Sequence, residues 1–333
     1  MATIVFNRDS ISVNLEANHL VIHEHAGGGS FRRMPLVDVE RVIVVGQPAI
    51  AFPVFAKLMD LGIPCSFLSH SGRWRGMMDG DSGFHAERRM RQYERIKNPM
   101  FSLELARRTA VAKIFNCRRT VQRLANERSI SLAEDESWFA LAKLKVELSF
   151  ARTIDSIRGM EGRAANLYFR LLARFFPPDV PFEARTRRPP RDEANALLSF
   201  VYTLLMNVFV TTIRAHGLDV AGGFFHCGHD SSPALALDLM EPFRSPWADR
   251  LALDLLNHRR IRAANHFECD GGVGVFLNES GRRVVFKAFD EMLERRRSTE
   301  RGMCTGKQIV ENAVCGFISS IETGNGIRVF KAA

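Results

Sequence analysis

The sequence of 333 residues lacks the cysteine patterns of zinc-binding proteins and of secreted disulfide frameworks. Its six cysteines form no CxxC pair and show no spacing typical of a zinc ribbon. Scattered cysteines in a chain of this size indicate reduced thiols in a cytosolic protein. The first ten residues lack a basic segment followed by an apolar one, so the sequence predicts no signal peptide. Internal repeats and low-complexity tracts are missing as well.

An excess of acidic residues is also absent. The chain has 46 Lys and Arg against 37 Asp and Glu, which gives a formal net charge of +9 and a pI of about 9.6. Residues 1–85 carry 7 basic and 8 acidic side chains, so the positive excess belongs to the rest of the chain. Such a balance predicts a polyanionic partner, nucleic acid first and an acidic membrane second. We therefore expect any nucleic-acid site to lie after residue 85.

One uncharged stretch, residues 195–213, has the length of a membrane span. Polar residues interrupt it at spacings of three and four, which places them on one face of a helix. They are Asn195, Ser199, Tyr202, Thr203 and Asn207. A helix with such a stripe is typical of the buried core of a soluble protein, so we expect no membrane partner and a cytoplasmic location.

Short apolar runs separated by Asn, Asp and Gly occupy the first 80 residues and predict strands, with one helix over 49–61. The segment DGDSG at 79–83 indicates a linker. After it, apolar residues recur at helical spacing, and a Pro- and Arg-rich stretch at 177–192 indicates a mobile basic loop. The predicted helices lie over 88–96, 103–125, 136–159, 193–214, 234–243, 247–257 and 281–297.

This organisation predicts an α+β fold with two domains. We expect a small N-terminal β domain, similar to a β-sandwich, over residues 1–85. A larger, basic C-terminal domain, in which any nucleic-acid site should lie, is expected over 86–333. It should be all-helical except for a short β excursion at 268–278.

The segment GGFFHCGHDSSPALALDLMEPFR at 222–244 contains the first candidate site residues. His226 follows two glycines and two aromatic residues, which indicates a close approach to another element. Asp238 and Glu241 are three residues apart on a predicted helix and so face the same way. Imidazole and carboxylates together suit a divalent ion such as Mn²⁺ or Mg²⁺. Spacing alone, however, favours a plainer interpretation, a hydrogen-bonded core histidine and a solvated helix face.

Glu161 is a second candidate, because it lies between Gly159 and Gly162 and precedes an apolar helical run. Glycines reduce bulk where a large ligand such as a phosphate backbone must approach. An ordinary glutamate at the start of a helix explains the same pattern equally well.

These segments together resemble a known family. GMEGRAANLYF at 159–169, GGFFH at 222–226 and LALDLMEPFR at 235–244 are similar to the motifs of the CRISPR-associated Cas-one family, the integrase subunit of spacer acquisition. Further similar stretches are LARRTAVAKIFNCRRTVQRLA, RPPRDEANALLSFVYTLL, HFECDGGVGVFLNESGRRVVFKAFDEML, PLVDVERVIVV and GIPCSFLSHSGRWRG. The resemblance covers roughly residues 1–300. No single motif establishes it, and the evidence is that several motifs occur in the same order as in the family.

The resemblance implies that Glu161, His226 and Glu241 are catalytic residues that bind the metal, Mn²⁺ or Mg²⁺, and that Asp238 supports the site. A salt-bridged helix residue is an equal interpretation of Asp238. Tyr168, Asn195 and Ser199 also occupy family motif positions, where a core hydrogen bond is an equal interpretation. Between the histidine and the third motif, many relatives carry a Gly-Arg pair or a lysine that would contact DNA. This chain has CGHDSS there, and His229 could replace the basic contact in part. Four arginines of the basic stretch are candidate phosphate contacts or parts of a solvated loop: Arg185, Arg187, Arg188 and Arg191.

The resemblance further implies a metal-dependent DNA endonuclease and integrase. Such an enzyme inserts short foreign DNA into a CRISPR array by attack of a DNA 3′-hydroxyl on a phosphodiester. The implied partners are double-stranded DNA, a second copy of the chain joined through the β domains, and the small Cas-two protein. A stand-alone nuclease acting on branched or single-stranded DNA would use the same ligands. A non-catalytic DNA-binding scaffold is a third possibility, against which the presence of all three ligands argues.

Overall fold

A computed structural model of the chain describes residues 2–25, 31–80, 85–186, 189–226, 232–269, 272 and 274–332. Its N-terminal part consists of two four-stranded sheets and one helix. The strands are β1 (Ala2–Phe6), β2 (Ile11–Glu16), β3 (His19–Glu24), β4 (Phe31–Pro35), β5 (Val39–Val45), β6 (Ala49–Ile50), β7 (Cys65–Leu68) and β8 (Trp74–Met78), and α1 spans Phe52–Asp60. One sheet has the order β1-β5-β7-β8 and the other β4-β3-β2-β6.

The two sheets are mixed rather than purely antiparallel. In the first, β5 pairs in parallel with β1 and β7, and β8 closes the edge antiparallel to β7. In the second, β2, β3 and β4 form an antiparallel meander, and the short β6 runs parallel to β2. Apolar side chains of both sheets and of α1 meet in one buried cluster, which includes Phe6, Val13, Leu20, Val44 and Leu58. This arrangement confirms the predicted small β unit, with α1 as an added layer.

Helices dominate the rest of the described chain. They are α2 (Ala86–Lys97), α3 (Pro99–Glu127), α4 (Glu136–Ser149), α5 (Ile154–Ala173), α6 (Glu193–Ala215), α7 (Ala234–Phe243), α8 (Arg250–Asn257), α9 (Ala263–His266), α10 (Glu279–Glu294) and α11 (Gly306–Thr323). The predicted β excursion is the hairpin of β9 (Phe267–Cys269) and β10 (Val275–Leu277). A second hairpin, β11 (Arg297–Thr299) with β12 (Gly302–Cys304), was not predicted. The domain boundary at 85/86 stays a prediction.

The single helix predicted over 136–159 is wrong, because the chain breaks after α4. Thr153 has an extended backbone, and its hydroxyl accepts the Ser156 amide hydrogen at 3.1 Å, which caps a new helix. Arg107 also donates to the Ala151 carbonyl, which lies in the break. Glu161 therefore lies within α5, about two turns from its start, and not at a helix start.

Helix α6 is the central element of the helical part. By length and composition it could cross a membrane. Its apolar residues, such as Leu197, Val201 and Leu205, are instead buried in the protein. Its polar stripe also finds partners inside the molecule: the Asn207 side-chain oxygen, for example, accepts a hydrogen bond from the Ser66 hydroxyl of β7 at 2.8 Å. This is the packing of a core helix.

The first sheet also packs on the helical part. Ile43, Val45 and Leu68 belong to the same buried cluster as the side chains of α6. Gly72, in the β7–β8 turn, has a φ of +77°, and a Cβ at this position would lie 2.4 Å from the Phe200 ring. The turn thus requires glycine both for its backbone and for its contact with α6.

We expect Gly72→Ala to lower the free energy of unfolding by about 2–4 kcal/mol. About 1–2 kcal/mol comes from a left-handed backbone with a Cβ, and the remainder from overpacking against Phe200. The matched control is Gly62→Ala, because Gly62 has a φ of +63° but nothing within 4 Å of its Cβ position. Urea unfolding of both variants measures the difference, and equal losses would contradict the packing of Gly72 on Phe200.

Candidate active site

The segment before α7 is folded onto the first turns of that helix by one buried carboxylate. Asp238 accepts the backbone N–H groups of Phe224, Phe225 and His226 at 2.7–2.9 Å. A Cβ on Gly223 would lie 2.7 Å from the Ala234 Cβ and 2.8 Å from Asp238 Oδ2, so this approach requires glycine. The close approach that the sequence indicated before His226 is therefore a contact with α7.

Asp238 also orients the His226 ring. Its Oδ1 lies 2.6 Å from His226 Nδ1, and the opposite ring nitrogen, Nε2, lies 3.7 Å from Glu241 Oε1. Because a carboxylate is an acceptor, Nδ1 donates a hydrogen to Asp238, and Nε2 is the ring nitrogen that faces Glu241. Each Asp238 oxygen already accepts two hydrogen bonds, so the geometry favours a positioning role for Asp238 over direct contact with an ion.

Three helices bring the remaining charges together. Lys113 of α3 contacts Glu161 Oε1 of α5, and its Nζ lies 2.7 Å from Glu241 Oε2 of α7. Arg244 adds a contact of 3.1 Å to Glu241 Oε1. Burial would raise the pKa of Glu241, but the charges of Arg244, Lys113 and His226 outweigh it and lower the pKa to about 2. Glu241 is therefore ionised at neutral pH although it is only 2% exposed.

Lys113 is the functional candidate that sequence reasoning missed. Burial would lower its pKa, yet the neighbouring Glu241 and Glu161 raise it, so it stays charged. The sequence did contain a signal for Lys113. It lies on the same helix face as Thr109 and Cys117, one turn away on either side, and both of these residues are buried. A lysine on such a face needs an anionic partner from another element.

The donor set of Glu161, His226 and Glu241 is of the type that a divalent ion takes, two carboxylates and an imidazole nitrogen. Among the residues that the structure describes, no three His, Cys, Asp or Glu side chains are arranged so that they could bind one metal ion. The ammonium group of Lys113 lies between two of the three predicted ligands, Glu161 and Glu241. The donor atoms are therefore of the kind that a divalent metal ion binds, but the ammonium group of Lys113 would have to move away from the two carboxylates.

A second polar cluster lies beside this site, around the fully buried Asp249. Tyr168 and Tyr202 donate their hydroxyl hydrogens to its carboxylate, at 2.7 and 2.5 Å. Burial raises the pKa of Asp249 to about 6, although both tyrosines and the charges of Arg185 and Arg244 oppose the shift. Tyr168 thus makes a core hydrogen bond, the plainer of its two interpretations.

Asn195 and Ser199 hold the segment before α6. The Asn195 side-chain oxygen accepts hydrogen bonds from Arg185 and from the Thr186 amide, at 2.8 and 2.9 Å. The Ser199 hydroxyl accepts a second Arg185 hydrogen bond at 2.9 Å. The guanidinium groups of Arg185 and Arg244 both lie over the Tyr202 ring, 5.4 and 5.1 Å from its centre. Arg185 is thereby linked to the arginine that contacts Glu241.

The loop predicted over 177–192 is confirmed for the part that the structure describes, but this part packs against the protein. Phe182 is buried and stacks on Phe176 with ring centres 4.7 Å apart. Arg191 is exposed, as a phosphate contact requires. Arg187, Arg188 and His229 lie outside the described residues.

The model of the family described as CRISPR associated protein Cas1 matches residues 4–291 of this chain. The chain belongs to the Cas1 family. The resemblance drawn from the motifs is thereby confirmed, whereas the roles of the individual site residues stay predictions.

Relatives and solved structures agree with this membership. A Thermus thermophilus protein named CRISPR-associated endonuclease Cas1 3 is 33% identical over 256 residues, which cover 77% of this chain and 74% of that protein. A Thermodesulfovibrio yellowstonii protein named CRISPR-associated endonuclease Cas1 1 is 29% identical over 308 residues, covering 92% and 96%. A CAS1 protein from Thermotoga maritima superposes with a TM-score of 0.81 at 22% identity, over all of both chains. At that identity the likeness shows a shared fold.

The pKa of Asp249 generates a prediction about stability. Between 3.8, the ordinary value for aspartate, and about 6, the folded state binds a proton that the unfolded state has lost. The free energy of unfolding therefore falls as the pH rises through about 6. Between pH 5 and 7 we expect the wild type to lose about 1 kcal/mol relative to Asp249→Asn. Urea unfolding at pH 5, 6 and 7 measures this, and parallel pH curves for the two proteins would argue against it.

Proposed function

We propose that this chain is a metal-dependent DNA endonuclease and integrase. In this proposal it inserts short DNA segments into a CRISPR array, by attack of a DNA 3′-hydroxyl on a phosphodiester bond. The single observation that carries the proposal is the convergence of Glu161, His226 and Glu241. The first two are 65 positions apart in the sequence. Glu161 and Glu241 both contact Lys113, and His226 Nε2 lies 3.7 Å from Glu241 Oε1.

The comparisons support the reaction class. The relatives described above are named endonucleases. A solved structure described as a casposase bound to integration product superposes with a TM-score of 0.88 at 20% identity, covering 98% of this chain and 92% of that chain. We infer from these names that phosphodiester cleavage and strand transfer are both within the repertoire of this site.

The proposed partners follow from the same sources. A chain of a Cas6-RT-Cas1–Cas2 complex covers all of this chain, with a TM-score of 0.85 and 22% identity, and this chain spans 36% of it. We propose that this protein likewise assembles with Cas2, and that two copies join through the near-neutral β region. The positive excess after residue 85 supports duplex DNA as the ligand of the helical part. A cytoplasmic location fits these partners.

Glu161, His226 and Glu241 would hold a divalent ion, Mn²⁺ or Mg²⁺. Such an ion supplies Lewis-acid polarisation of the phosphoryl oxygen and stabilises the leaving oxygen. Asp238 would hold a hydrogen on Nδ1 of His226 and so leave Nε2 as the nitrogen that binds the ion. Arg244 keeps Glu241 ionised, because its guanidinium lies 3.1 Å from that carboxylate.

Conservative replacement of each proposed ligand tests the function. We expect Glu161→Gln, His226→Gln and Glu241→Gln to reduce both cleavage and strand transfer by about a thousandfold or more, as removal of one member of a catalytic unit does. Asp238→Asn should cost about 10–100-fold, the usual effect of losing the partner of a metal-binding histidine. The assay uses Mn²⁺, a branched DNA, and a short duplex with a repeat-containing plasmid.

The control for the glutamate variants is Glu147→Gln on the surface of α4, which should retain full activity. Circular dichroism and melting temperature verify that each variant is folded. Full activity of the His226→Gln protein would refute the assigned site. Cleavage without any strand transfer by the wild type, with Cas2 present, would favour a stand-alone nuclease.

Two glycines of α5 provide an independent test of where DNA approaches. Gly159 and Gly162 lie inside the helix, where each costs about 1 kcal/mol relative to alanine. A Cβ at either position would meet no atom within 4 Å, so internal packing does not require glycine there. We propose that they leave room for the phosphate backbone beside Glu161.

We therefore expect Gly159→Ala and Gly162→Ala each to raise the free energy of unfolding by about 1 kcal/mol and to weaken DNA binding and cleavage. The matched control is Gly316→Ala in the interior of α11, whose Cβ would make only ordinary contacts at 3.9 Å or more. It should stabilise the protein without loss of activity. Unchanged DNA affinity in both α5 variants would show that the backbone passes elsewhere.

A further inference from the structure

Lys113 lies where the proposed function requires a metal ion. Its nitrogen contacts Glu161 and lies 2.7 Å from Glu241, the two proposed carboxylate ligands. The side chain is 14% exposed, and that of Glu241 is 2% exposed, so water screens this cluster poorly. Arg244, the other cation at the cluster, is paired with Glu241. In the described part of the chain, Lys113 is the one cation paired with both carboxylates.

Two carboxylates held together away from water repel each other unless a cation lies between them. The Lys113 ammonium supplies that positive charge, and it uses the same oxygens that an ion would use. An ion and the ammonium group compete for these oxygens and repel one another. The lysine stem has four methylene groups and can swing its charge away, whereas the carboxylates are held by α5 and α7.

We propose that Lys113 is a positioning residue that keeps Glu161 and Glu241 together until a divalent ion displaces it. The inference rests on the proposed function, since it requires these carboxylates to be the metal ligands. It assigns two effects to Lys113. The lysine stabilises the metal-free protein, and it lowers the affinity of the site for the ion.

Binding of Mn²⁺ alone, without DNA, to the full-length chain tests both effects. Removal of the competing charge in Lys113→Met should lower the Kd for Mn²⁺ about tenfold, within the ordinary range of coupling between two binding events. The metal-free variant should melt at a lower temperature than the wild type, and saturating Mn²⁺ should raise its melting temperature more. Calorimetry and thermal melting measure the two effects.

Lys113→Arg keeps the positive charge, so it should bind Mn²⁺ no more tightly than the wild type. This variant also keeps the proposal testable if Lys113→Met does not fold. The control for a lost surface charge is Lys143→Met, because Lys143 is 80% exposed. Its Mn²⁺ affinity should equal that of the wild type.

Glu241→Gln separates this proposal from the proposed function. Loss of Mn²⁺ binding in Glu241→Gln would support the metal site. If Lys113→Met then bound Mn²⁺ as tightly as the wild type or more weakly, the role of Lys113 would be overturned and the metal site would stand. Mn²⁺ binding that Glu241→Gln does not affect would overturn both.

Discussion

The buried negative charge of Glu241 is the constraint on which the candidate site depends. An ionised carboxylate with 2% exposure is tolerated only if cations and hydrogen-bond donors replace the lost water. Lys113 comes from α3 and Arg244 from the turn after α7, so the positions of both segments are tied to this one charge. Loss of one partner of a buried ion pair typically costs about 3–5 kcal/mol, whereas apolar replacement of the whole cluster is often neutral. Stability alone therefore gives no reason to keep such a cluster, which supports the functional role proposed for it.

The same helix fixes the histidine. Asp238 precedes Glu241 by three residues, so both carboxylates face His226. One carboxylate accepts the backbone amides and Nδ1, and the other lies beside Nε2. The different roles follow from the surroundings: Asp238 accepts hydrogen bonds from three backbone amides and the His226 ring, whereas Glu241 lies beside Lys113 and Arg244. Two acidic residues on one helix thus receive different roles from the elements packed against them.

The fold class and the order of the main elements could be predicted from the sequence, because strand and helix patterns are local. Glu161, His226 and Glu241 were assigned as metal ligands only through a family resemblance. Spacing alone favoured a core histidine and a solvated helix face, and it explained Glu161 equally well as an ordinary helix-start glutamate. The break after α4 was missed because the apolar spacing continues through it, although Thr153 is a good helix-capping residue. Arg185 was assigned to a mobile loop because its partners, Asn195 and Ser199, belong to a helix that local patterns describe separately.

The end of α7 is held both by α3 and by Phe330, which lies beyond the family match that stops at residue 291. Pro242 has no amide hydrogen, and a π-helical turn over Arg244–Asp249 follows the helix. The Pro242 carbonyl accepts a hydrogen bond from the Asn116 side chain at 2.6 Å, and the same amide group donates to the Phe330 carbonyl at 3.1 Å.

The ring of Phe330 stacks on Phe243 with centres 4.2 Å apart, two residues beyond Glu241. Asn116 and Phe330 are 214 positions apart, so no local pattern could have connected them. Asn116 lies three residues after Lys113 on α3. The helix that supplies the ammonium group therefore also supplies the hydrogen bond that fixes the end of α7. The geometry around Glu241 thus depends on α3 twice, once through charge and once through a buried amide.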